Sequence, residues 1–398
     1  MADEVAEGPE RGTRPRNRRE LIIAAATDLF HRHGYEAVSM NMVADAVNVS
    51  PSALYRHFRG KPQLLTAAVT NEMEPFRETI AEVRGADLDT VTRSLARTAT
   101  EHDRLGVLWV REARGLPAEQ YGLLRGEVSR SMRLIASMIA DRRPDLDERG
   151  SRLLARGLCS AMTVTSSRRP TLSASRRQQV LQEVLLSIAE LTPAPAEGEG
   201  APARLPTGLV PTARRERLLA GALALFAEHG YPAVGIDDIR HRAGLSTSSV
   251  YREFESKRDL LAALLHRGDE WLRHDMHRAL RGAWDPADGL RRLLASYVDF
   301  VARHHDYVTV LLCDSRHCEG SDRERTRRTQ REYVGEWVAL VLASVPGMTE
   351  AEAEVRVAIV LNVANDIART PGPRDRPETW RTLRRLGRAV LLPERGSG

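Results

Sequence analysis

The feature that most constrains what this chain can fold into is an internal repeat. The stretch Ser50-Pro51-Ser52-Ala53-Leu54-Tyr55-Arg56-His57-Phe58-Arg59-Gly60-Lys61 returns as Ser246-Thr247-Ser248-Ser249-Val250-Tyr251-Arg252-Glu253-Phe254-Glu255-Ser256-Lys257. Phe30 and Phe226, Gly34 and Gly230, Tyr35 and Tyr231, Tyr55 and Tyr251, and Lys61 and Lys257 all stand 196 residues apart. Between Arg18 and Leu65, 20 of 48 positions are identical to their counterparts without a gap. Helical composition alone does not produce such a match, so the chain is a tandem of two similar units.

Each copy reads as a short helix suited to DNA. Ser50 is a good N-cap, Pro51 fits the first helical position, and Ser52 and Ala53 are small enough to approach base edges in a major groove. Tyr55, Arg56 and Lys61 then offer donors to phosphate. Ser246, Thr247, Ser248, Ser249, Tyr251, Arg252 and Lys257 repeat the set, and Arg18, Ser39 and Arg214 extend it. A plain capped surface helix would use many of the same residues. Lysine usage separates the two readings: of 59 basic residues only Lys61 and Lys257 are lysines. Lysine is a compact point charge where arginine is a planar fork. Placed at the start of the following helix, it would make a phosphate-binding corner with that helix's own N–H groups.

Residues 1–17 read as a flexible basic arm. A first helix is expected from about Arg18 to His33, ended by Gly34. Ser39 caps a second helix, and Asn48, which tolerates the left-handed conformation, takes the turn before the Ser50 helix. Helix, helix, tight turn, helix is the helix-turn-helix layout. It assigns 18–65 and 212–261 to DNA-binding heads. Residues 192–211, rich in Pro, Ala, Gly and Glu, have a linker's composition and could span roughly 60 Å when extended. The rest, 66–191 and 262–393, is helical throughout, with helices near 61–84, 87–102, 104–115, 118–142, 147–166 and 174–191, then 257–281, 287–304, 306–317, 322–344, 350–369 and 376–391. The last two of each unit carry apolar faces that can close a four-helix interface. The fold class is therefore all-α: two tandem units, each a head plus a helical core.

With 398 residues, 42% of them hydrophobic, the chain has room for several buried cores. A net charge of +5 is too mild to imply nucleic acid by itself, so a basic patch must be local. It is stronger in the first head. From Arg11 to Leu65 nine basic residues face four acids, whereas from Pro211 to Leu261 eight face seven, with Glu253 and Glu255 replacing His57 and Arg59. Three cysteines form no even disulfide set, the acidic start is no signal peptide, and no run is apolar enough for a membrane span. A cytoplasmic protein with no membrane partner is expected.

The third helix after each head suggests a pocket, since Arg111-Glu112-Ala113-Arg114 and Cys313-Asp314-Ser315-Arg316 align at an offset of 202. Trp109, Arg111, Glu112, Asp314 and Arg316 are the candidate ligand contacts, and a salt bridge within the core is the competing role for the charges. A thiol or metal sensor built on His304, His305, Cys313, Asp314, His317 and Cys318 has poor spacing, because Cys313 and Cys318, five apart on a helix, point about 140° from each other. No metal, no cofactor and no enzyme motif is expected.

Gly34-Tyr35, Ser50, Tyr55, Phe58 and Lys61, matched again in the second unit, resemble the signature of TetR-family (TetR/AcrR) regulators. The tandem arrangement, with Val107-Leu108-Trp109 running into Arg111-Glu112-Ala113-Arg114, is similar to the two-repeat regulators of mycobacterial mammalian-cell-entry (Mce) lipid-import operons. The resemblance implies ligand-binding cores, a double-stranded DNA operator, a small-molecule effector such as a lipid or acyl thioester, and pairing of the final helices across a pseudo-two-fold. One chain would then hold both heads, with further homodimerisation left open. It also implies a ligand-released repressor. The alternatives are a regulator with one DNA-competent head and a thiol- or metal-responsive sensor of the same fold. Asn48 in place of the usual turn glycine, Gly235 in place of a capping Ser or Thr, and Glu253 and Glu255 depart from the family's pattern.

Overall fold

Side-chain caps set where the helices begin. Ser39, Ser50, Asp87, Ser256, Asp285 and Thr349 each adopt extended backbone and accept from an N–H in the first turn of the adjoining helix, which satisfies donors that the helix leaves without intrahelical partners. Gly235 has no side chain for this. There the Asp238 carboxylate reaches back to the Gly235 N–H at 2.7 Å, so the departure from the expected cap is compensated one turn later.

The computed structural model describes residues 17–166, 172–195 and 211–393. The basic arm before Asn17 and most of the linker expected at 192–211 lie outside the described residues. Among those described there is no strand. The first unit contains α1 (Arg18–His33), α2 (Met40–Ala46), α3 (Pro51–His57), α4 (Lys61–Glu82), α5 (Leu88–Glu101), α6 (Leu105–Val107), α7 (Ala118–Arg142), α8 (Glu148–Met162) and α9 (Ala174–Ala189). After α6 the chain continues through a π-helical turn, Leu108–Glu112, and a 3₁₀ turn, Ala113–Gly115. The second unit repeats the order as α10 (Arg214–His229), α11 (Ile236–Ala243), α12 (Thr247–Glu253), α13 (Lys257–Arg281), α14 (Pro286–Arg303), α15 (His305–Asp314), α16 (Gly320–Ser344), α17 (Glu350–Ala368) and α18 (Pro377–Leu391). The shift in repeat offset from 196 to 202 is absorbed mainly in helix length. Helices α13 and α14 have 25 and 18 residues where α4 and α5 have 22 and 14.

In the first unit, Ile22, Ala26 and Phe30 of α1, Val43 of α2, Leu54 of α3 and Leu64, Leu65 and Ala68 of α4 form one buried cluster. Leu108, Ala113, Leu116 and Leu124 extend it beyond the head. Burying each such side chain contributes about 1.5–3 kcal/mol, so the head and the helices behind it share one store of stability.

By packing, the chain divides differently from its repeats: Arg156–Ala161 of α8 and the end of α9 from Glu183 belong to the same compact unit as α10 to α18. Within it, Arg156 donates to Asp366 at 2.9 Å, Ser160 donates to the same carboxylate at 2.8 Å, and Asn362 donates to the Ser160 carbonyl at 2.8 Å. Buried Arg356 pairs with Glu183 at 2.5 Å and donates to the Val390 carbonyl. Gly157 seats Leu386 and Ile188, and Gly387 seats Leu294 so closely that a Cβ there would lie 2.6 Å from a leucine methyl. A second close seat holds Tyr307 against Gly268, where a Cβ would stand 1.8 Å from the ring.

Candidate nucleic-acid interface

The first recognition helix is fixed from below. Leu54 and Phe58 are buried in the head, while Ser50, Pro51, Ser52, Tyr55 and Arg56 are exposed, with Ala53 half-buried between them. The Ser50 hydroxyl accepts from the Ala53 N–H at 3.2 Å and meets the Ser52 hydroxyl at 3.0 Å. Tyr55 leaves 52% of its surface in solvent although it is a large aromatic. An exposed ring with a hydroxyl tip beside an exposed guanidinium suits a phosphate backbone.

Asn48 carries the turn. Its φ is +53°, the one positive value at a non-glycine residue among those described, and Gly244 at the same place in the second head has φ +61°. The departure from glycine at this turn is therefore absorbed by asparagine's tolerance of the left-handed region.

In the second head Val250 and Phe254 face inward, and Tyr251 is 59% exposed with Arg252 exposed beside it. The side chains of Thr247, Ser248 and Ser249 lie outside the described set. Arg215 stacks 4.4 Å over the Phe254 ring and donates to the Glu253 carbonyl; in the first head Arg19 stacks over Phe58 at 5.3 Å. Sequence reasoning missed these clamps between the first and recognition helices, although both residues recur at the offset of 196. Arg18 is half-buried, and Arg214 and Ser39 are exposed; the Ser39 hydroxyl caps α2.

The lysines occupy a different setting from an open phosphate corner. Lys61 Nζ donates to the carbonyls of Tyr35 at 2.9 Å and Glu36 at 3.3 Å and lies 4.4 Å over the Tyr35 ring. Lys257 Nζ donates to Tyr231 at 2.9 Å and Val234 at 2.8 Å and lies 4.2 Å over the Tyr231 ring. Two converging carbonyls and a ring face suit a small tetrahedral ammonium better than a planar fork, which accounts physically for lysine surviving here alone. Burial lowers the Lys257 pKa, with the Asp314 carboxylate opposing the shift.

The third-helix candidates gather behind these clamps. Fully buried Glu112 accepts the Tyr35 N–H at 2.7 Å and lies 3.6 Å from Arg111. Asp314, also buried, accepts the Tyr231 N–H at 3.3 Å. Trp109 stacks on Tyr121, 5.6 Å apart, against the head's hydrophobic cluster, and Arg316 is half-buried at the end of its helix. Glu112, Asp314 and Trp109 thus meet the head, and Arg111 pairs with Glu112. The partner of Glu112 is 77 residues away in sequence, so no local signal announces it.

Among the described residues no group of three His, Cys, Asp or Glu is arranged to hold a metal. Desolvation pushes the Cys159 thiol up to about 12 and the Cys318 thiol up to about 11, which leaves little thiolate at neutral pH for sensing. Burial likewise raises the Asp269 carboxyl to about 6, against a hydrogen bond from the Tyr307 hydroxyl at 2.9 Å that lowers it. No helix among the described residues is long and apolar enough to cross a membrane.

A three-helix head whose last helix is exposed and held from below by buried apolar residues defines a helix-turn-helix protein, here with two such heads. The family model described as bacterial regulatory proteins, tetR family, matches residues 22–68 and again 218–264, and the tetracyclin repressor-like C-terminal domain matches 283–369. The chain thus matches the tetR-family regulatory model twice, once across each head. It is similar to the HTH-type transcriptional activator FasR of Mycolicibacterium smegmatis, 35% identical over 105 residues that make up 24% of this chain and 48% of that protein. It is also similar to the HTH-type transcriptional repressor KstR2 of Mycobacterium tuberculosis, 31% identical over 97 residues, 24% of this chain and 48% of that one. The chain thus spans about half the length of the curated relatives it matches. Among solved structures, a TetR-family regulator from Bordetella parapertussis aligns over 46% of this chain and 95% of its own at 21% identity, with a TM-score of 0.43. These matches carry a likeness to tetR-family regulators and not the narrower likeness to mammalian-cell-entry operon regulators. The matched families and relatives are regulators.

Proposed function

We propose that this chain is a sequence-specific DNA-binding transcription regulator, a repressor released from its operator by a small apolar or amphipathic effector, with both recognition heads supplied by one chain. The observation that carries the reading is the pair of exposed recognition faces, Tyr55 with Arg56 and Tyr251 with Arg252, each backed by buried residues. Its place of action is the cytoplasm, where the DNA is. The heads are 18–65 and 212–261, the effector-binding cores 66–191 and 262–393, and 192–211 is the linker between them. Pairing of the two repeats within one chain is supported by the Arg156–Asp366 and Arg356–Glu183 ion pairs, each of which joins residues about 170–210 positions apart. Two heads on one face of a duplex need centres about 34–36 Å apart, or a multiple of that.

The effector class, a lipid or acyl thioester, rests on the family and on the lipid-related resemblance. A regulator with one competent head is the second reading, favoured by Glu253 and Glu255 in the second recognition segment, where carboxylates repel phosphate. The test is a mobility shift of DNA from immediately upstream of the chain's own gene, titrated with salt and combined with sedimentation. A single chain covering two half-sites, released by an acyl thioester that also raises its melting temperature, is expected. Binding that is insensitive to salt, or that needs two chains pairing like repeat with like, overturns the reading.

A further inference from the structure

We propose that Glu112 and Asp314 are positioning residues that tie each effector-side helix to its DNA-binding head through the two peptide groups that flank a single tyrosine. This rests on the DNA-binding reading above. In the first unit the residue after Gly34 is gripped at three points. The Tyr35 N–H is donated to Glu112, the Tyr35 carbonyl accepts from Lys61, and the Tyr35 ring lies under the Lys61 ammonium and 5.7 Å from Phe30. The carboxylate meets the N–H of the Gly34–Tyr35 peptide and the ammonium meets the carbonyl of the Tyr35–Glu36 peptide, and charge-assisted bonds are roughly twice as strong as neutral ones. The grip therefore joins three places: the end of α1, the start of α4 just past the recognition helix, and the helix behind the head.

The second unit repeats the arrangement with different parts. Asp314 accepts from Tyr231, Lys257 donates to Tyr231, and His317 stacks 5.0 Å from the Tyr231 ring. At the position equivalent to His317 the first unit has Gly115, where an added Cβ would stand 3.2 Å from the Tyr35 ring. Repeats that keep a lysine, a tyrosine and an acid in register, while the intervening helices differ in length, have preserved a three-part contact rather than a sequence.

The two latches differ in how they can open. Glu112 ends the π-helical turn Leu108–Glu112, whereas Asp314 ends a regular α-helix. Rewinding a π turn into α-helix rotates the residues beyond it by about 100° in total, one residue's advance, enough to withdraw Glu112 from Tyr35. An effector that favours the rewound helix loosens the first head without touching DNA. The shorter bond in the first unit, 2.7 Å against 3.3 Å, makes that head the more tightly governed.

The experiment uses the full chain and the upstream duplex as probe. Glu112→Ala and Glu112→Asp, which shortens the arm by one methylene, should each weaken DNA binding about tenfold with the salt slope unchanged, because Glu112 meets no phosphate. Glu112→Gln, which keeps a carbonyl acceptor, should stay within about twofold. Hydrogen exchange in peptides covering Gly34-Tyr35 should speed about tenfold in the Ala and Asp variants and stay slow at Gly230-Tyr231. Arg56→Ala is the contact control, with a slope lower by about one. Gln behaving like Ala, or Tyr35 staying protected in both Ala and Asp, overturns the latch. Wild-type protein that fails to shift the probe overturns the DNA-binding reading instead, and the exchange measurement still decides the latch.

Discussion

Gly268→Ala, normally a helpful change in the middle of a helix, should here unseat a whole aromatic ring. Alanine in place of glycine inside a helix gains about 1 kcal/mol from propensity. At Gly268, however, the new methyl would stand 1.8 Å from Tyr307 Cε2 and 2.0 Å from Cζ. Tyr307 is 2% exposed, and its hydroxyl donates to Asp269 at 2.9 Å, so it has no free space to move into. Overpacking costs about 1–3 kcal/mol and disruption of a buried charge-assisted bond about 1.5–3. After the propensity gain, the net loss should be about 3 kcal/mol. Tyr307→Ala alone should cost about 3–5 kcal/mol as a large aromatic truncation. With the ring gone the methyl meets no obstacle, so Gly268→Ala added to Tyr307→Ala should be stabilising by about 1 kcal/mol. Four of the five tryptophans, Trp271, Trp284, Trp337 and Trp380, lie in the second unit, so urea titrations followed by tryptophan fluorescence report chiefly on it. A Gly268→Ala substitution that destabilises equally in both backgrounds would refute the seating of Tyr307.

The heads should be unequal: Tyr55→Ala should weaken binding to the upstream duplex more than Tyr251→Ala, with an operator of two unlike half-sites, and equal losses in parallel salt titrations would speak against this. Asp269, raised to about 6 from the ordinary 3.8, binds its proton more tightly folded than unfolded, so its burial penalty is absent below about pH 4 and complete above about pH 6. Asp269→Asn should therefore stabilise the second unit by about 2–3 kcal/mol at pH 7.5 and by little at pH 4.5; urea midpoints at the two pH values would show an equal gain if the aspartate carried no such penalty.

The heads were legible in the sequence because helix-turn-helix chemistry is local. A serine cap, a proline after it, and an asparagine at a turn each act within a few residues, and all three sit where those rules put them. Helix ranges were readable for the same reason, within a few residues at each end. Lysine usage pointed to the right two positions but not to what they touch, since Tyr35 and Lys61 are brought together only by the packing of α1 on α4. Glu112 is the sharpest instance. A charged residue on a core-facing helix suggests a ligand contact, and only the fold reveals a backbone amide waiting for it. The π turn that delivers it left no mark in composition or periodicity.

The chain's only two lysine amines are both folded back onto carbonyls in the hinge of a head. Reagents that acylate lysine consequently have one target per head, and they react with it more slowly while that head's carbonyls hold the amine. A chain acquires zero, one or two lysine labels according to how many heads have let go, so mass alone counts open heads molecule by molecule, with no reporter engineered into the protein.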